Sequence, residues 1–131
     1  MGVMFTIDGD PRGKQRHRSA KNGHIYTPTE TIAYERKVAI AYRQAGGKIH
    51  TQPVAVEVWA FYKIPASASR KQAAKMQGAP CTKKPDDDNV LKIIQDGLNG
   101  VAYEDDKQVV DGIVHKRYWT DARVIVSVKE V

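Results

Sequence analysis

KKPDDDNVLKIIQDGLNGVAYEDDKQVVD, residues 83 to 111, is the stretch around which the chain is organised. With Asn89 at 0° and each residue turned by 100°, Val90, Leu91, Ile93, Ile94, Gly97 and Leu98 fall within one arc of roughly 160°. Asn89, Lys92, Gln95, Asp96 and Asn99 fall opposite. The spacing predicts a helix whose apolar half packs on a sheet and whose polar half looks toward the flanking acids, with Asn99-Gly100 as its C-cap. Two carboxylate knots, Asp86-Asp87-Asp88 and Glu104-Asp105-Asp106, flank it. The window holds eight of the fifteen acidic residues but four of the 21 Lys and Arg. Such crowding destabilises the fold unless a cation or bases relieve it.

Outward from this window the chain alternates between strands and helices. Gln108 to Trp119 and Ala122 to Lys129 read as a hairpin joined near Thr120-Asp121, with Val124, Val126 and Val128 pointing inward. Residues 65–84 are small, basic and acid-free. Ser69 to Gln77 has room for a helical turn or two but no apolar stripe, so a mobile basic loop that orders on substrate is expected. Earlier still, PVAVEVWAFYKI (residues 53–64) has period-2 character, with Val54, Val56, Val58, Ala60 and Tyr62 on one face. The other face is also largely apolar, which predicts a central strand or a side covered by a partner chain. Thr27-Pro28-Thr29-Glu30 predicts a helix start, Thr27 capping and Glu30 completing a capping box. That helix should run to Gln44, before Ala45-Gly46-Gly47, with Ile32, Val38 and Ala39 on its apolar side. Val3 to Asp8 reads as a strand. The order β-α-β-loop-α-β-β predicts one α+β two-layer domain over residues 1–131.

Composition narrows the class. The chain is 41% hydrophobic, in the range of a globular domain rather than a disordered one. A net charge of +6, carried despite the acidic window, points to nucleic acid or an anionic membrane surface. No apolar run approaches the roughly 18 residues of a spanning helix. The opening MGVMFTIDGD lacks the charged and apolar regions of a signal peptide. The single cysteine, Cys81, has no disulfide partner and no zinc-spaced neighbours. A soluble cytoplasmic protein is the expectation.

The carboxylates suggest a chemistry. In an extended segment Asp86 and Asp88 point the same way, so both can reach one cation while Asp87 points away. The chain's return brings Asp105 or Asp106 alongside. Oxygen-only ligands suit Mg²⁺ or Mn²⁺, and the absence of His and Cys speaks against zinc. An EF-hand starting at Asp86 fails, because Leu91 stands at the glycine position and Gly97 at the bidentate Glu position. An N-cap explains one aspartate but not three, whereas a solvated acidic loop remains an alternative. Phosphate hydrolysis by metal-activated water, with a lysine offsetting charge on the phosphate, accounts for the same residues. In the loop after Gly13, the basic residues Lys14, Arg16, Arg18 and Lys21 are either solvated or in contact with phosphate.

Three spaced motifs carry a resemblance. Lys84-Pro85-Asp86-Asp87-Asp88-Asn89-Val90-Leu91-Lys92, Asp96-Gly97-Leu98 and Asp105-Asp106-Lys107-Gln108-Val109 together resemble the RusA family of Holliday-junction resolvases. Its pattern reads D-x-D-N-L-x-K, D-A-L and D-D-x-Q-V. GDPRGKQRHR and YTPTETIAYE are similar to phage and prophage members. The resemblance implies a homodimeric, Mg²⁺-dependent endonuclease (Mn²⁺ substituting) that nicks four-way DNA junctions symmetrically in recombination and repair. It implies metal-binding roles for Asp86, Asp88 and Asp106 and a catalytic role for Lys92. DNA contacts are expected from Lys14, Arg16, Arg18, Lys83, Lys84 and Asn89, with no membrane and no small-molecule cofactor. Asp87, Val90 and Gly97 depart from the pattern, and Lys83-Lys84-Pro85 replaces an arginine-rich run found elsewhere in the family.

Two other readings compete. Pro85-Asp86 with Asp105-Asp106-Lys107 also satisfies the loose PD…(D/E)-x-K nuclease pattern, which would make Lys107 catalytic and Asp88 dispensable. A non-catalytic DNA-binding module would use Lys14, Arg16, Arg18, Lys83 and Lys84, bind independently of Mg²⁺ and cut nothing.

Overall fold

Alternation in residues 54–62 sets the frame. Val54, Val56, Val58 and Ala60 are wholly buried and Tyr62 nearly so. The intervening Ala55, Glu57, Trp59 and Phe61 are only half-buried. One face of this strand therefore meets a helical layer, while on the other Trp59 stacks on His115 and Phe61 lies against Trp119. The computed structural model describes residues 2–15 and 18–131, Arg18 by its backbone alone.

Its elements are β1 (Gly2–Asp8), a two-residue ribbon β2 (Arg18–Ser19) and β3 (Ile25–Tyr26), α1 (Thr29–Gln44), β4 (Val54–Lys63), α2 (Arg70–Met76), α3 (Asp87–Leu98), β5 (Val109–Trp119) and β6 (Arg123–Glu130). A 3₁₀ turn, Asp106–Gln108, leads into β5. The main sheet has the order β1-β6-β4-β5. Helices α1 and α3 pack on its buried face, bringing Tyr34, Val38, Tyr42, Val90, Ile93, Ile94 and Leu98 against the valines of β4 and β6. The result is the expected α+β two-layer architecture. No described helix is long and apolar enough to cross a membrane.

The hairpin expected between Gln108–Trp119 and Ala122–Lys129 does not form. β4 lies between these strands, parallel to β5 (Val58 opposite Val114) and antiparallel to β6 (Val58 opposite Val126). The two-sided apolar strand takes the centre, where both of its edges are hydrogen-bonded, and the Thr120-Asp121 turn passes over its end. Gln108 belongs to the 3₁₀ turn, not to β5.

Two details of α1 also differ from expectation. Pro28, not Thr27, is the N-cap, and no side chain caps the helix. Instead the Pro28 carbonyl accepts from the N–H of Thr31 and of Ile32, so Thr27 stands one residue too early to cap. The buried stripe is Thr31, Tyr34, Val38 and Tyr42, a run of three- and four-residue steps, while Ile32 is exposed.

Residues 65–84 contain α2, whose N-terminus carries a Ser69/Gln72 capping box and which buries no residue. A strap follows it along the β5 edge. Gly78 N–H donates to Tyr118 O, Tyr118 N–H to Ala79 O and Cys81 N–H to Lys116 O. Cys81, within this strap, is buried.

At Gly97 the helices α1 and α3 touch. A Cβ there would lie 2.8 Å from Val38 Cβ and 3.0 Å from Glu35 O. The glycine thus permits a backbone approach that brings Glu35 of α1 beside the polar face of α3.

Candidate active site

The first carboxylate knot forms the N-terminus of α3. Asp86 is the N-cap, in extended conformation, and Asp87 and Asp88 occupy the first turn. The extended alternation expected of Asp86 and Asp88 is therefore replaced by a cap and a helical turn. The helix dipole favours negative charge at this end and offsets part of the mutual repulsion. All three side chains are exposed. Asp88, Lys92 and Asp96 follow at four-residue steps and share one stripe of the helix.

That stripe meets the second knot through Lys92. Lys92 Nζ lies 3.2 Å from Asp96 Oδ1 and 3.8 Å from Asp106 Oδ2. The other oxygen of Asp96, Oδ2, is 2.9 Å from Lys14 Nζ, which also donates to Glu35 Oε2 at 2.6 Å. An ionic chain thus runs Glu35, Lys14, Asp96, Lys92, Asp106. Burial works against the Lys14 ammonium, but Glu35 and Asp96 outweigh it and raise the Lys14 pKa. Lys14 remains charged at any physiological pH, held inward between two carboxylates rather than extended into solvent.

Gln108 fixes the turn that presents Asp106. Its Oε1 accepts from the N–H of Glu104 and of Asp105, and its Nε2 donates to His50 O and Gln52 O. Tyr103, fully buried, donates its hydroxyl to Gln95 O on α3 at 2.7 Å. Burial, then the nearby Asp106 and Asp96, pushes that hydroxyl well above its ordinary pKa, so it stays a donor. The segment from Tyr103 to the 3₁₀ turn is thereby tied to α3 at two points, one buried and one ionic.

Basic side chains border the helix N-terminus. One cleft is lined by Arg12, Gly13, Lys14, Lys84, Asp86 and Asn89, and a second by Asp10, Arg12, Tyr62, Lys63, Lys83 and Lys84. The Lys83–Pro85 backbone between them is pinned. Tyr62 donates its hydroxyl to Pro85 O at 2.8 Å, and Lys116 Nζ donates to Lys83 O at 2.6 Å. The N-terminal loop reaches α3 through Lys14 N–H, which donates to Asn89 O. Gly13 packs there so closely that a Cβ would lie 2.7 Å from Pro85 Cβ.

Of the residues expected to touch DNA, Lys83, Lys84 and Asn89 gather at these clefts, and Lys14 is engaged in the ionic chain. Arg16 and the Arg18 side chain lie outside the described residues. Arg12 and Lys63 join the basic border without having been singled out in the sequence. Arg12 follows a proline in a turn cluster, and Lys63 ends a strand, so neither sits in a charge run.

The donor set suits a hard divalent ion in chemistry. Asp86, Asp88 and Asp106 offer only carboxylate oxygen, the first two exposed and Asp106 half-buried. Among the described residues, no three His, Cys, Asp or Glu side chains converge closely enough to enclose an ion. Of the three, Asp106 approaches Lys92, while Asp86 and Asp88 stand at the N-terminal end of α3.

Comparison with known proteins decides the family. The model of endodeoxyribonuclease RusA matches residues 8–129. The chain belongs to the RusA endodeoxyribonuclease family. A curated relative, the uncharacterized protein YqaN of Bacillus subtilis (strain 168), is 36% identical over 137 aligned residues, covering 98% of this chain and 96% of YqaN. The RusA match spans both acidic knots, α3 and the N-terminal loop, so every element of the ionic chain lies inside the family region. Lys107, by contrast, is exposed and forms no ion pair among the described residues.

Proposed function

We propose that this RusA-family chain is a Mg²⁺-dependent endonuclease that resolves four-way DNA junctions as a homodimer, in recombination and repair in the cytoplasm. The observation that carries the reading is the placement of Lys92 between Asp96 and Asp106, with Asp88 one turn away. Asp86, Asp88 and Asp106 would hold the ion, with Mn²⁺ able to replace Mg²⁺. When bound, it supplies activation of water and neutralisation of phosphate charge. Lys92 places an ammonium where negative charge grows on the scissile phosphate. Arg12, Lys83 and Lys84 border the route by which a phosphate backbone reaches Asp86. A second subunit cuts the opposed strand, and the half-exposed aromatic face of β4 offers apolar area for pairing.

The test is cleavage of a labelled synthetic four-way junction with Mg²⁺, beside linear duplex, comparing wild type with Asp88→Asn. Paired nicks in the junction, lost in the variant while binding persists, are expected. Binding without cutting, in Mg²⁺ or Mn²⁺, would leave a DNA-binding module. Equal cutting of linear duplex would keep the nuclease and remove the junction preference.

Arg12 gives an independent check on the DNA path. Arg12→Ala is expected to weaken junction binding uniformly across sequences and to reduce the slope of log affinity against log salt by about 1. An unchanged slope would take Arg12 out of the interface.

A further inference from the structure

We infer that Lys14, Glu35 and Asp96 form a positioning relay for Lys92, and that Lys14 serves this relay rather than contacting DNA. The inference rests on the proposed catalytic role of Lys92.

Asp96 is shared. One oxygen faces Lys92 Nζ at 3.2 Å and the other faces Lys14 Nζ at 2.9 Å. A carboxylate held by two cations has little freedom to rotate, so its orientation determines where the Lys92 ammonium rests. Lys92 itself is half-exposed, at 52%, and an exposed lysine without an anchor samples many rotamers. Lys14 differs in kind, with a side chain only 18% exposed and two carboxylates on its single ammonium. Glu35 completes the set from α1 and leaves Lys14 no net charge to offer a phosphate. Backbone features hold the relay from both ends. Lys14 N–H is bonded to Asn89 O, and Gly97 lets α1 come close enough to deliver Glu35. Three segments, the N-terminal loop, α1 and α3, thus converge on the placement of one ammonium.

The experiment uses the full chain. Isosteric Asp96→Asn, and separately Lys14→Met, are measured for junction Kd without turnover and for kcat and KM with Mg²⁺. Each is expected to lower kcat by about 100-fold, the cost of misplacing a reacting group by an ångström or so, with Kd unchanged. Lys14→Arg, which can still bridge two carboxylates, is expected to restore most of the loss. A second readout needs no metal and no DNA. Acylation of Lys92, followed by mass spectrometry against the exposed Lys37 as internal reference, should quicken in Asp96→Asn relative to wild type.

If Lys14→Met weakens Kd as much as it slows cleavage, Lys14 is a DNA contact and the relay is overturned. An unchanged Lys92-to-Lys37 labelling ratio in Asp96→Asn overturns it equally. Should wild type cut no DNA at all, the functional reading fails on its own, and the labelling ratio alone decides whether Asp96 positions Lys92.

Discussion

Lys92→Ala is expected to lower kcat on a four-way junction by about 100- to 1,000-fold, the usual loss when one group aimed at transition-state charge is removed. Junction affinity should change little. Lys92 is one positive charge at the edge of a larger basic border, and binding draws on all of that border. Its position explains the difference. Lys92 Nζ sits within 4 Å of carboxylates on both α3 and the 3₁₀ turn, where the ground-state phosphate is not its main partner. Lys107→Ala is the control. Lys107 is exposed and outside the ionic chain, and its removal should leave kcat near the wild-type value. Single-turnover cleavage with both variants reads the contrast directly. Loss of activity in Lys107→Ala with Lys92→Ala unaffected would transfer the chemistry to the PD…(D/E)-x-K pattern.

Gly97→Val should destabilise the protein by about 1–3 kcal/mol, the range for overpacking a filled core. The first atom of any side chain there would lie 2.8 Å from Val38 Cβ and 3.0 Å from Glu35 O. The second of these is helix backbone, which cannot swing aside as a flexible side chain could. Alanine is the finer case. It gains up to about 1 kcal/mol of helix propensity over glycine but meets the same two atoms, so its net effect should be smaller. Urea unfolding checks both variants, a lower midpoint with unchanged slope marking loss of stability without loss of two-state behaviour. The site should also respond, because parting α1 from α3 withdraws Glu35 from Lys14.

Much of the fold was legible because burial leaves a period. The alternation of Val54 to Tyr62, the Val124-Val126-Val128 face and the α3 arc all follow from one-sided packing. The false hairpin shows where that signal stops. Alternation says which face of a strand is buried but not which strand is its neighbour, and a short Thr-Asp turn looks the same whether it joins neighbours or passes over a third strand. The Thr27 cap failed by one residue, since Pro28 suits the N-cap as well as the first turn. In the site, the placement of Lys92 on the polar arc of α3 was legible from the helical period, whereas the expected gathering of Asp86, Asp88 and Asp106 is not seen among the described residues. The ionic role of Lys14 was not legible. Its partners Glu35 and Asp96 lie far along the chain, and within its own loop it looks like any other lysine in a basic run. Gln108 was legible as a motif letter, but its clamp on residues 50 and 52 depends on a loop with no pattern of its own.

Because β4 and β5 run parallel, the whole segment between them must be gathered before their first hydrogen bond can form. That segment contains α2, the strap, α3 and the acidic turn, and with them Asp86, Asp88, Lys92 and Asp106 of the proposed active site. Closing so long a loop is slow compared with local helix formation. A chain unravelled at this pair of strands keeps Asp86, Asp88 and Lys92 together on α3 but parts them from Asp106, which leads into β5. The meeting of Lys92 with Asp106 thus depends on closure of the β4–β5 crossover, a long-range event, and not on the helix alone.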